Sequence, residues 1–255
     1  EAAGRWAIEQ LEDWGLTNGR LEPWEFGHPG WVNERFSGHI LSPVKDQLTC
    51  EVLAWTPGTE GTVSGRAYVL TVPDSPTEPE LEAHLAEMAG AVAGTIVLVG
   101  EAAEIPVTFN PRPRRRDTAE AQRLYDPDNP RAGRFPRPVP PPPEERDDHP
   151  ILNNRQVSRQ IDEFLVEAGA LARVNDAGRD HGQIRAFRNR TYDITKAVPT
   201  VVMRNEDYGR IERILADGTP VELEFDIVNR VYPEGATAYN AIAEIPGTDK
   251  PDEVI

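Results

Sequence analysis

Five histidines, a single cysteine and an excess of carboxylates, 43 Asp and Glu against 27 Lys and Arg, are the residues of this 255-residue chain that could ligate a metal, take a proton or attack a carbonyl. A hydrolytic zinc centre needs imidazoles and carboxylates converging on the ion, with a further carboxylate to accept a proton from bound water. His28, His39, His84, His149 and His181 stand on loops and unlike elements, with no His-x-x-x-His or His-Glu-x-x-His spacing to set two rings on one helix face. Asp180-His181-Gly182 puts two ligand types side by side, but Gly178-Arg179 and Gly182 mark a solvated turn. His39 alternates away from Phe36 and Ile40 and is expected on the solvent side of a strand. Glu34-Arg35 reads as an ion pair near a strand start, of little value if exposed. Asp13 and Asp46 have no partner motif, and there is no Gly-rich phosphate loop, no Gly-x-Ser-x-Gly and no Cys/His pair. On this reading the chain contains no catalytic residue and no metal ligand.

Composition narrows the partners. A formal charge of −16 opposes nucleic acid and anionic membrane, both of which require clustered positive charge. Cys50 cannot form an internal disulfide, and in the strand-like Cys50-Glu51-Val52-Leu53-Ala54-Trp55 it reads as a small buried apolar residue. No apolar run approaches bilayer length. The length suits two domains better than one.

The elements that would position any site follow from periodicity. Ala7, Leu11 and Trp14, with Ile8, predict a surface helix over residues 1–14, closed by Gly15 and packed on a sheet. Residues 18–24 and 35–41 predict short strands around a loop at His28-Pro29-Gly30-Trp31. A small mixed unit of short strands and turns is expected to begin at about Trp55. Thr77-Glu78-Pro79-Glu80 opens a helix whose Leu81, Leu85 and Met88 share a stripe before Gly90. Thr95-Ile96-Val97-Leu98-Val99 suits a strand covered on both faces. Residues 106–150 are rich in Pro and Arg and predict an extended or mobile solvated insertion, rather than an SH3-type ligand or a nucleic-acid patch. Asn154 is a candidate cap for a helix carrying Val157, Ile161, Phe164, Leu165 and Ala168. Residues 198–203 predict a buried strand, Asn205-Glu206-Asp207 the capped start of a helix carrying Tyr208, Ile211 and Leu215, and Asp217-Gly218 its end. Val221, Leu223, Phe225 and Ile227 alternate with Glu222, Glu224, Asp226 and Val228 as a half-buried strand.

The closing stretch, Tyr239-Asn240-Ala241-Ile242-Ala243-Glu244-Ile245-Pro246-Gly247-Thr248-Asp249-Lys250-Pro251-Asp252-Glu253-Val254-Ile255, reads as a strand, a Pro-Gly turn and the beginning of a second strand. It resembles the corresponding segment of the co-catalytic zinc exopeptidases of the aminopeptidase S and carboxypeptidase Q type. In those enzymes the segment leads into Gly-Gly-His-x-Asp-Ser, whose His is a metal ligand. The middle of the chain, with Trp55-Thr56-Pro57-Gly58-Thr59 and Val201-Val202-Met203-Arg204-Asn205-Glu206-Asp207-Tyr208, resembles the protease-associated domain inserted in that family.

The resemblance implies an α/β fold in which a mixed-sheet protease-associated domain is inserted into an incomplete α/β zinc-exopeptidase domain. Residues 1–54 would be the first part of the catalytic domain. Residues 55–232 would be the inserted domain with its Pro-rich insertion at 106–150, and residues 233–255 the start of the returning catalytic domain. It implies further that both ends are cuts in a longer secreted or periplasmic protein, whose two zinc ions are bound by residues absent from this chain. A peptide would be the substrate, a homodimer stays open, and the inserted domain would border the cleft. Trp31, Arg35 and the Pro-rich loop are the candidates to face that cleft, whereas Trp24, Trp31 and Trp55 read first as packing residues. Two other readings remain: a noncatalytic protein- or peptide-binding module, and an unrelated acidic α/β binding protein.

Overall fold

The computed structural model describes residues 1–107, 109, 117–124, 128, 145–146, 149–186 and 191–248. In chain order the elements are α1 (Ala2–Asp13), β1 (Thr17–Glu25), β2 (Gly30–Ser42), β3 (Asp46–Gln47), β4 (Cys50–Val52), β5 (Thr62–Leu70), α2 (Glu78–Val92), β6 (Ile96–Val99), α3 (Thr118–Leu124), β7 (Glu145–Arg146), β8 (His149–Pro150), α4 (Asn154–Glu167), β9 (Ala172–Asp176), a 3-10 turn (Ile194–Lys196), β10 (Thr200–Met203), α5 (Asn205–Ala216), β11 (Glu222–Tyr232) and β12 (Thr237–Glu244).

Eight strands form one curled mixed sheet in the order β3-β2-β11-β5-β6-β9-β10-β4. β5, β6, β9 and β10 run parallel to their neighbours within that group, while β2, β3, β4 and β11 pair antiparallel. The parallel centre follows from its residues: a strand covered on both faces can be apolar at every position. Ile96 and Leu98 enter one core with Ala172, Val174, Met203, Tyr208, Leu223 and Phe225, and Val97 enters the other with Leu70, Leu81, Leu85, Ile161 and Leu165. α5 covers the first face; α2 and α4 cover the second. The antiparallel β11 buries Leu223, Phe225 and Ile227 completely while Glu222 is exposed. Each such side chain contributes roughly 1.5–3 kcal/mol of burial. At Gly38, a Cβ would stand 2.8 Å from the Phe36 ring and 2.9 Å from the Phe225 ring, so the absent side chain is what lets these two rings meet across β2 and β11.

A second, two-stranded sheet joins the first strand to the last. β1 pairs antiparallel with β12, from Thr17↔Glu244 to Glu25↔Thr237, and α1 packs on both. The eight-stranded sheet lies between them in sequence. The chain passes from one sheet to the other twice, at 26–29 and at 233–236, where Gly30 and Gly235 meet backbone to backbone; a Cβ on Gly235 would stand 3.0 Å from Gly30 Cα. 

Several local expectations change. β2 begins at Gly30, so Trp31 belongs to a strand and not to the expected loop, because the pairing with β11 continues to Gly30↔Tyr232. α2 passes through Gly90 to Val92, whose fully buried side chain offsets the glycine's poor helix propensity. The cap of α4 is Asn153, not Asn154: its Oδ1 accepts from the Arg155 and Gln156 amides while Gln156 Oε1 accepts from the Asn153 amide. Arg204 occupies the cap position of α5; the Asn205 side-chain Nδ2 instead donates to Ala103 O and to Asp176 Oδ2, and Asp207 accepts from the Thr49 backbone amide and from Arg204. Trp14 is 74% exposed rather than part of the packed stripe, because α1 buries its other face on a narrow two-stranded ribbon. β2, β3 and β4 precede Trp55 yet hydrogen-bond into the same sheet as the strands beyond it. Within 106–150, α3 and the short β7–β8 pair are ordered elements in the expected solvated insertion. The runs at 112–116 and 137–144, and the second closing strand at 252–255, lie outside the described residues.

Candidate functional site

A concavity lies over β9 and β10 beside α4, rising past the carboxyl end of β9, with a volume of about 1140 Å³. Crevices at the carboxyl ends of parallel strands are the usual ligand sites of α/β sheets, since the strands stop while their connecting loops diverge. The register fixes its floor. Arg173 and Asn175 of β9 sit beside Thr200 and Val202 of β10, four side chains on the face opposite Ala172, Val174, Val201 and Met203. Arg173 is buried at 7% exposure and is held by Asp162 of α4 at 2.6 Å, by Ser158 and by Asn175 Oδ1 at 2.9 Å. The segment Ala177–Arg185 forms one rim, Ile105 and Pro106 another, and Leu53–Thr56 the far wall.

An aromatic cluster stands beside this wall, at the passage between the two sheets. Trp55, in a left-handed conformation at φ 57°, packs on Phe26 and, edge to face, on Tyr192 at 4.8 Å. His28 stacks flat on Tyr192 at 3.7 Å between ring centres. Trp55 Nε1 donates to Pro29 O and Trp31 Nε1 to Thr56 O, which ties the β1–β2 passage to the segment after β4. Trp31 and Trp55 are thus packing residues, as their types suggest, whereas Trp24 is 45% exposed.

The residues singled out by sequence are dispersed. His39 is half-buried and stands 3.5 Å from Glu224, not on an open solvent face. His84 Nε2 lies 2.8 Å from Thr71 O. His149 is exposed on β8. His181 is 80% exposed on the pocket rim, 3.6 Å from Asp180 in a left-handed turn. Glu34 and Arg35 do not pair, because adjacent strand residues point to opposite faces. Arg35 binds Asp226 at 2.9 Å and Glu34 binds Arg230 at 3.3 Å. Asp46 pairs with Arg210. Cys50 packs at the edge of the first core, and burial, followed by the nearby Asp207 carboxylate, pushes its thiol well above the ordinary range. Among the described residues no group of three His, Cys, Asp or Glu could hold a metal ion, so they do not fit a zinc centre. No helix among them is long and apolar enough to cross a membrane.

Arg173, Asn175 and Asp162 were not singled out from sequence. A signal existed: in Ala170-Leu171-Ala172-Arg173-Val174 an arginine interrupts a run of buried apolar residues, and a buried guanidinium requires a partner.

No family model matches the chain, and no curated protein matches it. Among solved structures it is similar to a Peptidase M28 precursor from Shewanella amazonensis SB2B, with 17% identity and a TM-score of 0.53 over 98% of this chain and 46% of that one. It is also similar to an aminopeptidase from Aneurinibacillus sp. strain AM-1, with 12% identity and a TM-score of 0.47 over 98% of this chain and 43% of that one. The chain therefore spans less than half the length of either. The first likeness establishes a shared mixed α/β fold.

Proposed function

We propose that this chain is the N-terminal portion of a zinc-dependent exopeptidase, in which the eight-stranded unit is a protease-associated domain bordering the substrate cleft and α1, β1 and β12 begin the catalytic domain. One observation carries the reading. The first and last strands pair with each other while an eight-stranded sheet is built from strands between them, and 98% of the chain is similar in fold to 46% of a Peptidase M28 precursor. The inserted unit, on this reading, spans residues 55–232, and β2 through β4 hydrogen-bond to its sheet. The two zinc ions would be bound by residues outside this chain, as the resemblance to the co-catalytic zinc exopeptidases implies. Secretion or periplasmic export and a peptide substrate belong to the same proposal.

The test is to read the gene past Ile255, express the whole protein and measure bound zinc together with chelator-sensitive release of terminal residues from peptides. Two zinc ions per chain and such activity are expected. A whole protein with neither overturns the enzyme reading. A noncatalytic ligand-binding module is the second reading, favoured by the 1140 Å³ concavity that this chain forms from its own residues.

A further inference from the structure

The floor of the concavity is built to donate hydrogen bonds. A guanidinium carries five N–H groups. In Arg173 four of them meet Asn175 Oδ1 at 2.9 Å, Asp162 Oδ1 at 2.6 Å, Ser158 O at 3.4 Å and Ser158 Oγ at 3.3 Å. The fifth, on Nη2, has no partner among the described residues. Because the Asn175 amide oxygen faces the guanidinium, its Nδ2 is turned the other way, and it too has no partner among the described residues. Both side chains line the cavity, on one face of β9. Of the nearby acceptors, Asp162 Oδ1 is engaged by Arg173 and Asp176 Oδ2 by the Ala103 amide and Asn205, while Asp176 Oδ1 is buried without a partner among the described residues. An apolar flank of Leu53, Trp55, Val202, Ile105 and Pro106 rises beside these donors.

We infer that this concavity binds a small amphipathic carboxylate, an amino-acid derivative or the free C-terminus of a short peptide. Its oxygens take the Arg173 Nη2 and Asn175 Nδ2 hydrogens, and its apolar body lies against Trp55 and Val202. The charge balance selects a monoanion. Arg173 is already paired with Asp162 at 2.6 Å, so negative charge brought to the same place is opposed by a chain that carries −16 overall, and a phosphate dianion is opposed more than a monoanion. A single carboxylate instead matches two donors with charge-assisted bonds. The site uses none of the groups required by the peptidase reading and stands or falls apart from it.

Calorimetric titration of the 255-residue chain with N-acetyl-leucine, N-acetyl-leucinamide and inorganic phosphate tests the assignment. N-acetyl-leucine should bind, with the amide at least about tenfold weaker, because it lacks the charge that strengthens both bonds. Asn175→Asp keeps the oxygen that Arg173 requires but replaces the donor with a negative charge; it should weaken N-acetyl-leucine by at least about tenfold with the thermal midpoint retained. Equal affinity for acid and amide, absence of binding, tighter binding of phosphate, or an Asn175→Asp protein that folds and binds normally would each overturn the inference. If that variant does not fold, the acid–amide comparison on the unaltered chain decides.

Discussion

Asp162 of α4 and Arg173 of β9 lie 2.6 Å apart, carboxylate to guanidinium, with side chains 11% and 8% exposed. The pair couples the helix on one face of the sheet to the strand beneath it. Removing one member of a buried pair leaves the other desolvated and uncompensated, which costs about 3–5 kcal/mol, whereas replacing both by apolar residues is often close to neutral. Arg173→Ala is therefore expected to lower unfolding stability by that amount, and the double change Arg173→Met with Asp162→Leu by far less. Urea denaturation of the three proteins measures both; equal losses would show that packing, not charge compensation, governs this site.

Cys50 should be inert in the native chain. Burial, and then the Asp207 carboxylate, push its thiol upward, with Arg204 acting the other way. The thiolate is the nucleophile, so alkylation by iodoacetamide at mildly alkaline pH should be slow in buffer and fast in denaturant. Equal rates in the two conditions would contradict the burial.

The Asp46–Arg210 contact sets an acid limit on one corner of the fold. Arg210 hydrogen-bonds the Asp46 carboxylate at 2.7 Å, the Gln47 amide adds a second bond, and together they hold Asp46 below its ordinary value of 3.8. The folded state thus favours the ionised form, so the contribution is complete above pH 3.8 and disappears as the pH falls through the lower folded-state value. Asp46→Asn should be less stable than the parent at neutral pH, and the gap should close under strongly acidic conditions. A gap that does not change with pH would assign the effect to something other than ionisation.

Hydrogen exchange should divide the chain in two. Ile96–Val99 and Leu223–Ile227 lie in closed cores and are expected to exchange only through global unfolding. α1 buries no residue fully, and β1–β12 is a two-stranded ribbon joined to the larger unit by the passages at 26–29 and 233–236, so its amides should exchange sooner. Uniform protection would show that the ribbon and the larger sheet open as one unit.

Much of the local structure was legible because it is written at short range. The alternation Leu223, Phe225, Ile227 gives a strand with one buried face, and Thr77 with Glu80 gives a helix start, here closed by a 2.8 Å bond from the Thr77 amide to Glu80 Oε2. The apolar run at 96–99 carried the correct implication that both of its faces are covered. The candidate site was not legible in the same way. Arg173, Asn175 and Thr200 meet through the parallel pairing of β9 with β10, and no local pattern states which strand will be the neighbour of another.

By itself the sequence determined an acidic α/β chain, the periodicity of its main strands and helices, and the dispersal of its histidines. Tertiary structure decided that β1 and β12 pair across the whole intervening unit, that Glu34 and Arg35 take different partners, and that a donor-lined concavity forms between α4 and the β9–β10 floor. The reason is range. Propensity and periodicity act over a few residues, whereas sheet order, pair partners and cavities depend on which distant apolar faces must be buried against one another.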